Sequence, residues 1–226
     1  LAGRFNYDFK GKYLFEGSFS YMGTSRFGPG HRWGFFPGLQ AGWRISEEIF
    51  LKNNIRFLNN LKIRGSWGIV GDDGNAGFQW LDGYSYPGTS SYNGVNVPVR
   101  YISGNTVLAG LGYRPQPYEA LSWCESEIIN LGLDADLWEG KLHIEFDWFR
   151  RERNGLLAQR TLSLPQTVGA PLPQENLNSD RTRGLEIVLG HNNRVGELRY
   201  SISANASVAR TKNLYQERAP FGSSIS

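Results

Sequence analysis

One cysteine, one methionine and three histidines are all the sulfur and imidazole chemistry that this 226-residue chain holds. Cys124 alone closes no internal disulfide, and His31, His143 and His191 stand too far apart for a zinc-like ligand spacing. Long apolar runs are also missing. No stretch of about 18 residues could cross a bilayer as a helix, which excludes a helical membrane protein. Charge of one sign is never blocked together: 24 basic residues are interspersed among 21 acidic ones, with a net charge of +3. Neither a nucleic-acid footprint nor a polybasic membrane anchor is legible. The mean hydropathy of -0.42 does not argue for solubility, because barrel strands alternate lipid-facing and lumen-facing residues and average out polar. The opening Leu1-Ala2-Gly3-Arg4-Phe5 lacks the parts of a signal peptide and reads as a strand end, so the chain is expected to begin in mid-protein.

What is present is aromatic and glycine-rich: 7 Trp, 11 Tyr, 13 Phe and 28 Gly. That mixture favours strands, interfacial girdles and tight turns over helix bundles. From Lys12 to Gly23, Tyr13, Phe15, Gly17, Phe19 and Tyr21 alternate with Glu16, Ser18 and Ser20. The same period of two recurs in Leu39, Ala41, Trp43 and Ile45, and in Leu61, Ile63, Trp67 and Ile69. Ile129 to Leu137 and Leu142 to Trp148 alternate about a turn at Glu139-Gly140 and predict a hairpin. Leu185 to Leu189 and Leu198 to Val208 form the last pair. With Gly3 to Phe9, about eight antiparallel strands are expected.

The connections alternate in length. Tight turns are expected at Lys10-Gly11, at 139–140 and over Asn192 to Gly196, with a moderate link at 47–59; long loops are expected at 24–36, 72–124 and 154–181. Short and long connections thus fall at opposite ends, as in outer-membrane barrels. Several runs reach the roughly 9–11 residues that cross a bilayer at a tilt. The competing reading is a soluble secreted β-sandwich that binds carbohydrate through an aromatic loop. Against it stands the loop 72–124, which lacks a clear alternating strand and is unusually long for a compact soluble domain.

Several segments, in order, carry a family resemblance. Tyr13-Leu14-Phe15-Glu16-Gly17-Ser18-Phe19 is followed by Gly23-Thr24-Ser25-Arg26-Phe27-Gly28, then Trp33-Gly34-Phe35-Phe36-Pro37-Gly38 and Ala41-Gly42-Trp43-Arg44-Ile45-Ser46-Glu47-Glu48. Next come Leu61-Lys62-Ile63-Arg64-Gly65-Ser66-Trp67-Gly68, the loop opening Val70-Gly71-Asp72-Asp73-Gly74-Asn75, and later Asn130-Leu131-Gly132-Leu133-Asp134 and Arg183-Gly184-Leu185-Glu186-Ile187. The set resembles the SusC/RagA-like TonB-dependent outer-membrane transporters, over nearly the whole chain. Met22 stands where the first signature usually has Asp, and Trp67 and Val70 where the later one has Tyr and Thr.

The resemblance implies an all-β, antiparallel transmembrane barrel fragment of about eight strands, residues 1–226, from a larger plugged barrel of about 22 strands. The plug and the TonB-contacting segment belong to the rest of such a protein. The end Gly222-Ser223-Ser224-Ile225-Ser226 lacks a final aromatic-ended strand and is expected to lie in a loop; a small closed eight-stranded barrel is the alternative. Location in the cell outer membrane is implied, with lipid, a SusD-like surface lipoprotein and the TonB complex as partners and no nucleic acid. The mechanism implied is energised import: substrate is captured between barrel and lid, and TonB then pulls on the plug. A passive porin would lack that plug.

Within this frame the aromatics of loop 72–124 are candidate substrate or lid contacts, chiefly Trp80, Tyr84, Tyr86, Tyr92 and Tyr101, with Phe78, Tyr113, Tyr118 and Trp123 beside them. The alternative is that they form the loop's own core. The signature Ser25, Arg26, Phe27 and Gly28 offers a guanidinium for a carboxylate or phosphate, or fixes loop geometry. Asp72, Asp73, Asn75 and Asp82 match no EF-hand spacing. Asp134, Asp136, Glu145, Asp147 and Glu186 share a polar face that a barrel turns to its lumen, and no Ser/His/Asp or Cys/His arrangement accompanies them. No cofactor, metal or enzymatic reaction is assigned.

Overall fold

A strand's backbone N–H and C=O groups point sideways, so each alternating run must find a neighbour. In the computed structural model, which describes residues 1–52, 55, 57–74, 76–92, 95–114, 116–160 and 172–217, these runs form one antiparallel sheet. Its strands are β1 (Ala2–Phe9), β2 (Tyr13–Gly23), β3 (Trp33–Arg44), β4 (Leu58–Asp72), β11 (Cys124–Leu137), β12 (Leu142–Gln159), β13 (Gln174–Val195) and β14 (Leu198–Tyr215). The spatial order β1-β2-β3-β4-β11-β12-β13-β14 repeats the chain order, an up-and-down meander whose edges are β1 and β14. This is the antiparallel wall of a transmembrane barrel, of eight long strands as expected.

Register sorts the side chains into two faces. One row of direct partners is Tyr7, Phe15, Ala41, Gly65, Leu131, Trp148, Leu185 and Val208; another is Phe9, Tyr13, Trp43, Ile63, Leu133, Phe146, Ile187 and Ala206. Both lie on the apolar face. Stacked rings border it, Tyr21 with Trp33 at 5.1 Å on the long-loop side and Tyr13 with Trp43 at 6.3 Å on the short-turn side. The borders step down the register from strand to strand: Tyr21 and Phe35 give way to Trp67 and then Trp148 above, Tyr13 to Tyr200 below. Tilted strands crossing a level apolar band produce that slant.

A sandwich would lay a second sheet on this face. Among the described residues nothing covers it: Phe5, Phe15, Leu131 and Leu185 are 62%, 44%, 54% and 47% exposed. The sandwich reading is therefore overturned. The true core is small and sits in the loops.

Several boundaries depart from the expectations, each for a local reason. β3 begins at Trp33, so the first long loop is only 24–32; Phe36 turns to the polar side at 5% exposure and Pro37 offers no donor, which blurs the alternation. β12 and β13 run to Gln159 and from Gln174, shortening the expected loop 154–181. A break at Gly155 (φ 72°) with register shifts on either side of Leu156 hides that extension. The last hairpin turns at 196–197, since Val195 pairs with Leu198. The loop between β4 and β11 is not strandless. It carries β5 (Tyr84–Ser85), β6 (Thr89–Tyr92), β7 (Val95–Pro98), β8 (Arg100–Ser103), β9 (Thr106–Ala109) and β10 (Gly112–Tyr113), paired as three two-stranded sheets too short to show a period. Residues 222–226 lie outside the described residues.

At the short-turn end, Lys10 and Gly11 both take left-handed φ (55° and 64°) and close the first hairpin, with Lys12 N donating to Phe9 O at 3.0 Å. After β3 comes a 3-10 turn, Ile45–Glu47, and one helical turn, α1 (Ile49–Lys52). Between them Glu48 accepts from Tyr13 Oη at 2.7 Å, Lys12 Nζ at 3.1 Å and Trp43 Nε1 at 3.2 Å. These donors, Tyr13 foremost, hold its carboxyl below the ordinary glutamate value.

A group whose folded-state pKa is depressed lends stability that is full above its unfolded pKa and is lost as pH falls through the folded one. In the complete protein, acidification from neutrality to below about pH 4 should therefore destabilise the wild type more than Glu48→Gln; parallel slopes in pH-resolved unfolding would exclude the contribution. On the apolar face, Leu133→Arg should cost on the order of 2–4 kcal/mol near the bilayer midplane and about 0–1 near the interfaces. Leu133→Phe should fold in lipid nearly as the wild type does. Equal damage from both substitutions would mean that Leu133 faces packed protein.

Candidate functional site

The long connections 24–32, 73–123 and 160–173 leave the sheet at one end, and the first two are joined there by a clasp. Thr24 N donates to Arg32 O at 3.0 Å and His31 N to Gly28 O at 3.2 Å, folding 24–32 into an arch. The arch drives Phe27 inward to zero exposure, against Ala76 and Leu121, with Tyr118, Trp123 and Leu157 packed around them. Trp123 meets Phe27 edge-on at 5.4 Å and Phe36 at 5.3 Å. One apolar cluster thus ties the signature arch, both ends of the 73–123 loop and the top of β12.

Polar contacts complete the clasp. Arg26 Nη1 donates to both Asp73 carboxylate oxygens, at 2.9 and 3.0 Å. Trp80 Nε1 donates to Ser25 O at 3.1 Å, and Arg32 lies over the Trp80 ring at 5.1 Å while its Nε donates to Phe27 O at 3.1 Å. Gly28 lies in a close approach: a Cβ there would sit 3.0 Å from Glu119 O and 3.4 Å from Trp80 Cβ, so any side chain would push the backbone at Glu119 away by a few tenths of an ångström. β13 joins through Gln174, whose N–H donates to Gln79 Oε1 at 2.7 Å, and Asn176, whose Nδ2 reaches Ser122 O at 2.9 Å and Gly155 O at 2.8 Å.

The candidate aromatics therefore part company. Trp80 is half-buried in the clasp, and Tyr118 and Trp123 belong to the cluster. Tyr84, Tyr86 and Tyr101 are 59%, 71% and 55% exposed. Tyr92 ends β6, and its side chain, like that of Tyr113, lies outside the described residues. The loop acids are occupied locally: Asp73 by Arg26, Asp72 by Gly74 N at 3.0 Å and Asp82 by Gly83 N at 2.7 Å; Asn75 lies outside the described residues. Asp73, Gln79 and Asn176 were not legible as partners, because each contact spans loops whose meeting no periodicity foretells.

On the polar face of the sheet the acidic patch is threaded with cations and other donors. Arg64 bridges Asp134 at 3.0 Å and Asp147 at 2.6 Å, and His143 sits between Asp136 at 2.6 Å and Glu145 at 2.9 Å. Asn60 Nδ2 donates to Asp136 at 3.1 Å. The carboxylates of Asp134, Asp136, Glu145 and Asp147 are thus paired within this wall, through Arg64, His143 and Asn60.

No family model matches the chain. Its sequence is 34% identical over 189 residues to TonB-dependent receptor P39 of Formosa agariphila, and 34% identical over 185 residues to TonB-dependent receptor SusC of Bacteroides thetaiotaomicron, covering 83% and 81% of this chain. This chain is SusC/RagA-like TonB-dependent receptor sequence. It spans about a sixth of the length of these relatives, 16% and 17%. Two solved structures of a RagAB peptide importer, in the closed-closed and open-open states, superpose on 94% and 95% of the receptor segment with TM-scores of 0.76 and 0.77, at 21% and 20% identity and over 22% of their own chain. At that identity they speak for the barrel fold.

The clasp ranks its own substitutions. Arg26→Ala removes a part-exposed ion pair and should cost roughly 0.2–1 kcal/mol, whereas Phe27→Ala empties a closed apolar site and should cost on the order of 3–5 kcal/mol. Hydrogen exchange over residues 73–123 in the complete receptor measures both. If Arg26→Ala loosens the loop more than Phe27→Ala does, the cluster is not what holds it.

Proposed function

We propose that residues 1–226 form one partial barrel domain of an outer-membrane TonB-dependent nutrient importer, supplying wall and extracellular loops. The observation that carries this reading is the pairing of an uncovered apolar face, bordered by aromatic rings, with a long loop pinned over one end of the sheet. The polar face then lines the lumen, where its bridged carboxylates and arginines suit contact with a plug. The substrate class is glycan or peptide, since exposed tyrosine rings stack on sugars and on peptide side chains alike. A SusD-like surface lipoprotein is the partner at the mouth, and TonB energises the import. The curated relatives are receptors by name, and we assign no reaction.

In the complete importer, Tyr84→Ala, Tyr86→Ala and Tyr101→Ala combined should lower substrate uptake or lid association several-fold while outer-membrane assembly stays at the wild-type level. Trp80→Ala should instead disturb the loop itself, seen as increased proteolysis within 73–123. Unchanged uptake and lid binding with all three tyrosines removed would sink the mouth assignment.

A further inference from the structure

On the apolar face of β12, β13 and β14 the lipid-type side chains end together, at the partners Trp148, Leu185 and Val208. The next row on the same face, towards the long loops, is Arg150, Arg183 and Arg210; the row beyond it is Glu152, Arg181 and Lys212. Glu152 accepts from Arg150 at 2.6 Å and from Arg181 at 2.8 Å, which satisfies two of the five cations. Arg183, Arg210 and Lys212 are exposed and have no carboxylate partner among the described residues. On β11 the same face turns acidic at Glu125 and Glu127, with Trp67 Nε1 donating to Glu127 at 2.8 Å, so the basic patch is confined to three strands.

Like charges directly opposite one another destabilise a sheet, and here three guanidiniums stand abreast. An anion at that level relieves the repulsion. Its height is set by the row beneath: a ligand there touches Trp148, Leu185 and Val208 with apolar matter and the arginines with charge. Guanidinium forks match phosphate oxygens bidentately, and two strand spacings span about 10 Å, the breadth of a sugar-phosphate headgroup.

We propose that Arg183 and Arg210, flanked by Arg150 and Lys212, bind the phosphate of an outer-leaflet glycolipid whose acyl chains lie against Trp148, Leu185 and Val208. The assignment rests on the outer-membrane reading above.

The test uses the complete importer in nanodiscs containing lipid A monophosphate or its dephosphorylated form, with lipid retention read by native mass spectrometry. Wild type should retain the phosphate form about tenfold better. R183Q/R210Q should lose that preference, R183K/R210K should keep part of it, and R194Q/R199Q, which removes equal charge at the short-turn end, should keep all of it. Equal retention of both lipids by wild type, or an unchanged preference in R183Q/R210Q, overturns the proposal. So does displacement of the lipid by millimolar inorganic phosphate, which would mark a free-anion site. Heat-modifiable migration reports barrel insertion separately: a protein that never inserts defeats the membrane reading, and one that inserts without preferring phosphate defeats only this site.

Discussion

In hydrocarbon an unpaired backbone amide or carbonyl has no water to fall back on, and each costs several kcal/mol. That constraint decides the architecture. Every long strand pairs along most of its length with the long strand next in sequence, and a period of two then hands alternate side chains to lipid and to lumen. The slant of the aromatic borders follows from the same geometry, since direct partners in adjacent tilted strands cannot lie at one depth. Leu185 and Val208 end the apolar band in the register row where Phe15, in β2, is still well inside it.

Residues that obey the alternation were legible before any coordinates, and those that break it were not. Tyr13 to Tyr21 and Leu142 to Trp148 are ordinary lipid-facing runs, and their strands stand where expected. The failures have causes. Phe36 is a large ring on the polar side, placed there because Trp123 arrives from far along the chain to cover it. Leu156 and Leu157 follow a break at Gly155, and Leu157 then serves the apolar cluster and not the lipid. β5 to β10 pair over two to four residues each, one or two cycles of alternation and too few to establish a period.

The site was legible in a different sense. Family-like segments singled out Ser25 to Gly28, but their chemistry depends on Asp73, 47 residues away from Arg26, and on Trp80, 55 away from Ser25. Nothing local encodes those meetings. Composition did flag the loop as aromatic, yet it could not separate rings that build the loop from rings that the loop displays. Burial makes that separation: Trp80, Tyr118 and Trp123 on one side, Tyr84, Tyr86 and Tyr101 on the other.

The two sets depend on each other. A connection as long as 73–123 has to spend some of its apolar side chains on internal order before it can offer others at fixed positions. The clasp meets that need at one place, because Phe27 closes over Ala76 and Leu121, which enter from the loop's two ends, and so pulls those ends together. The middle of the loop, Tyr84 to Tyr113, is built among the described residues from three short two-stranded sheets, joined by backbone bonds from Gly88 N to Gly110 O at 2.7 Å, Val99 N to Gly88 O at 2.9 Å and Gly110 N to Val99 O at 2.7 Å. Among the described residues, the ties from the loop to the arch and to β12 and β13 are made before Tyr84 and after Tyr113, so the ladders of the wall do not run through the middle of the loop.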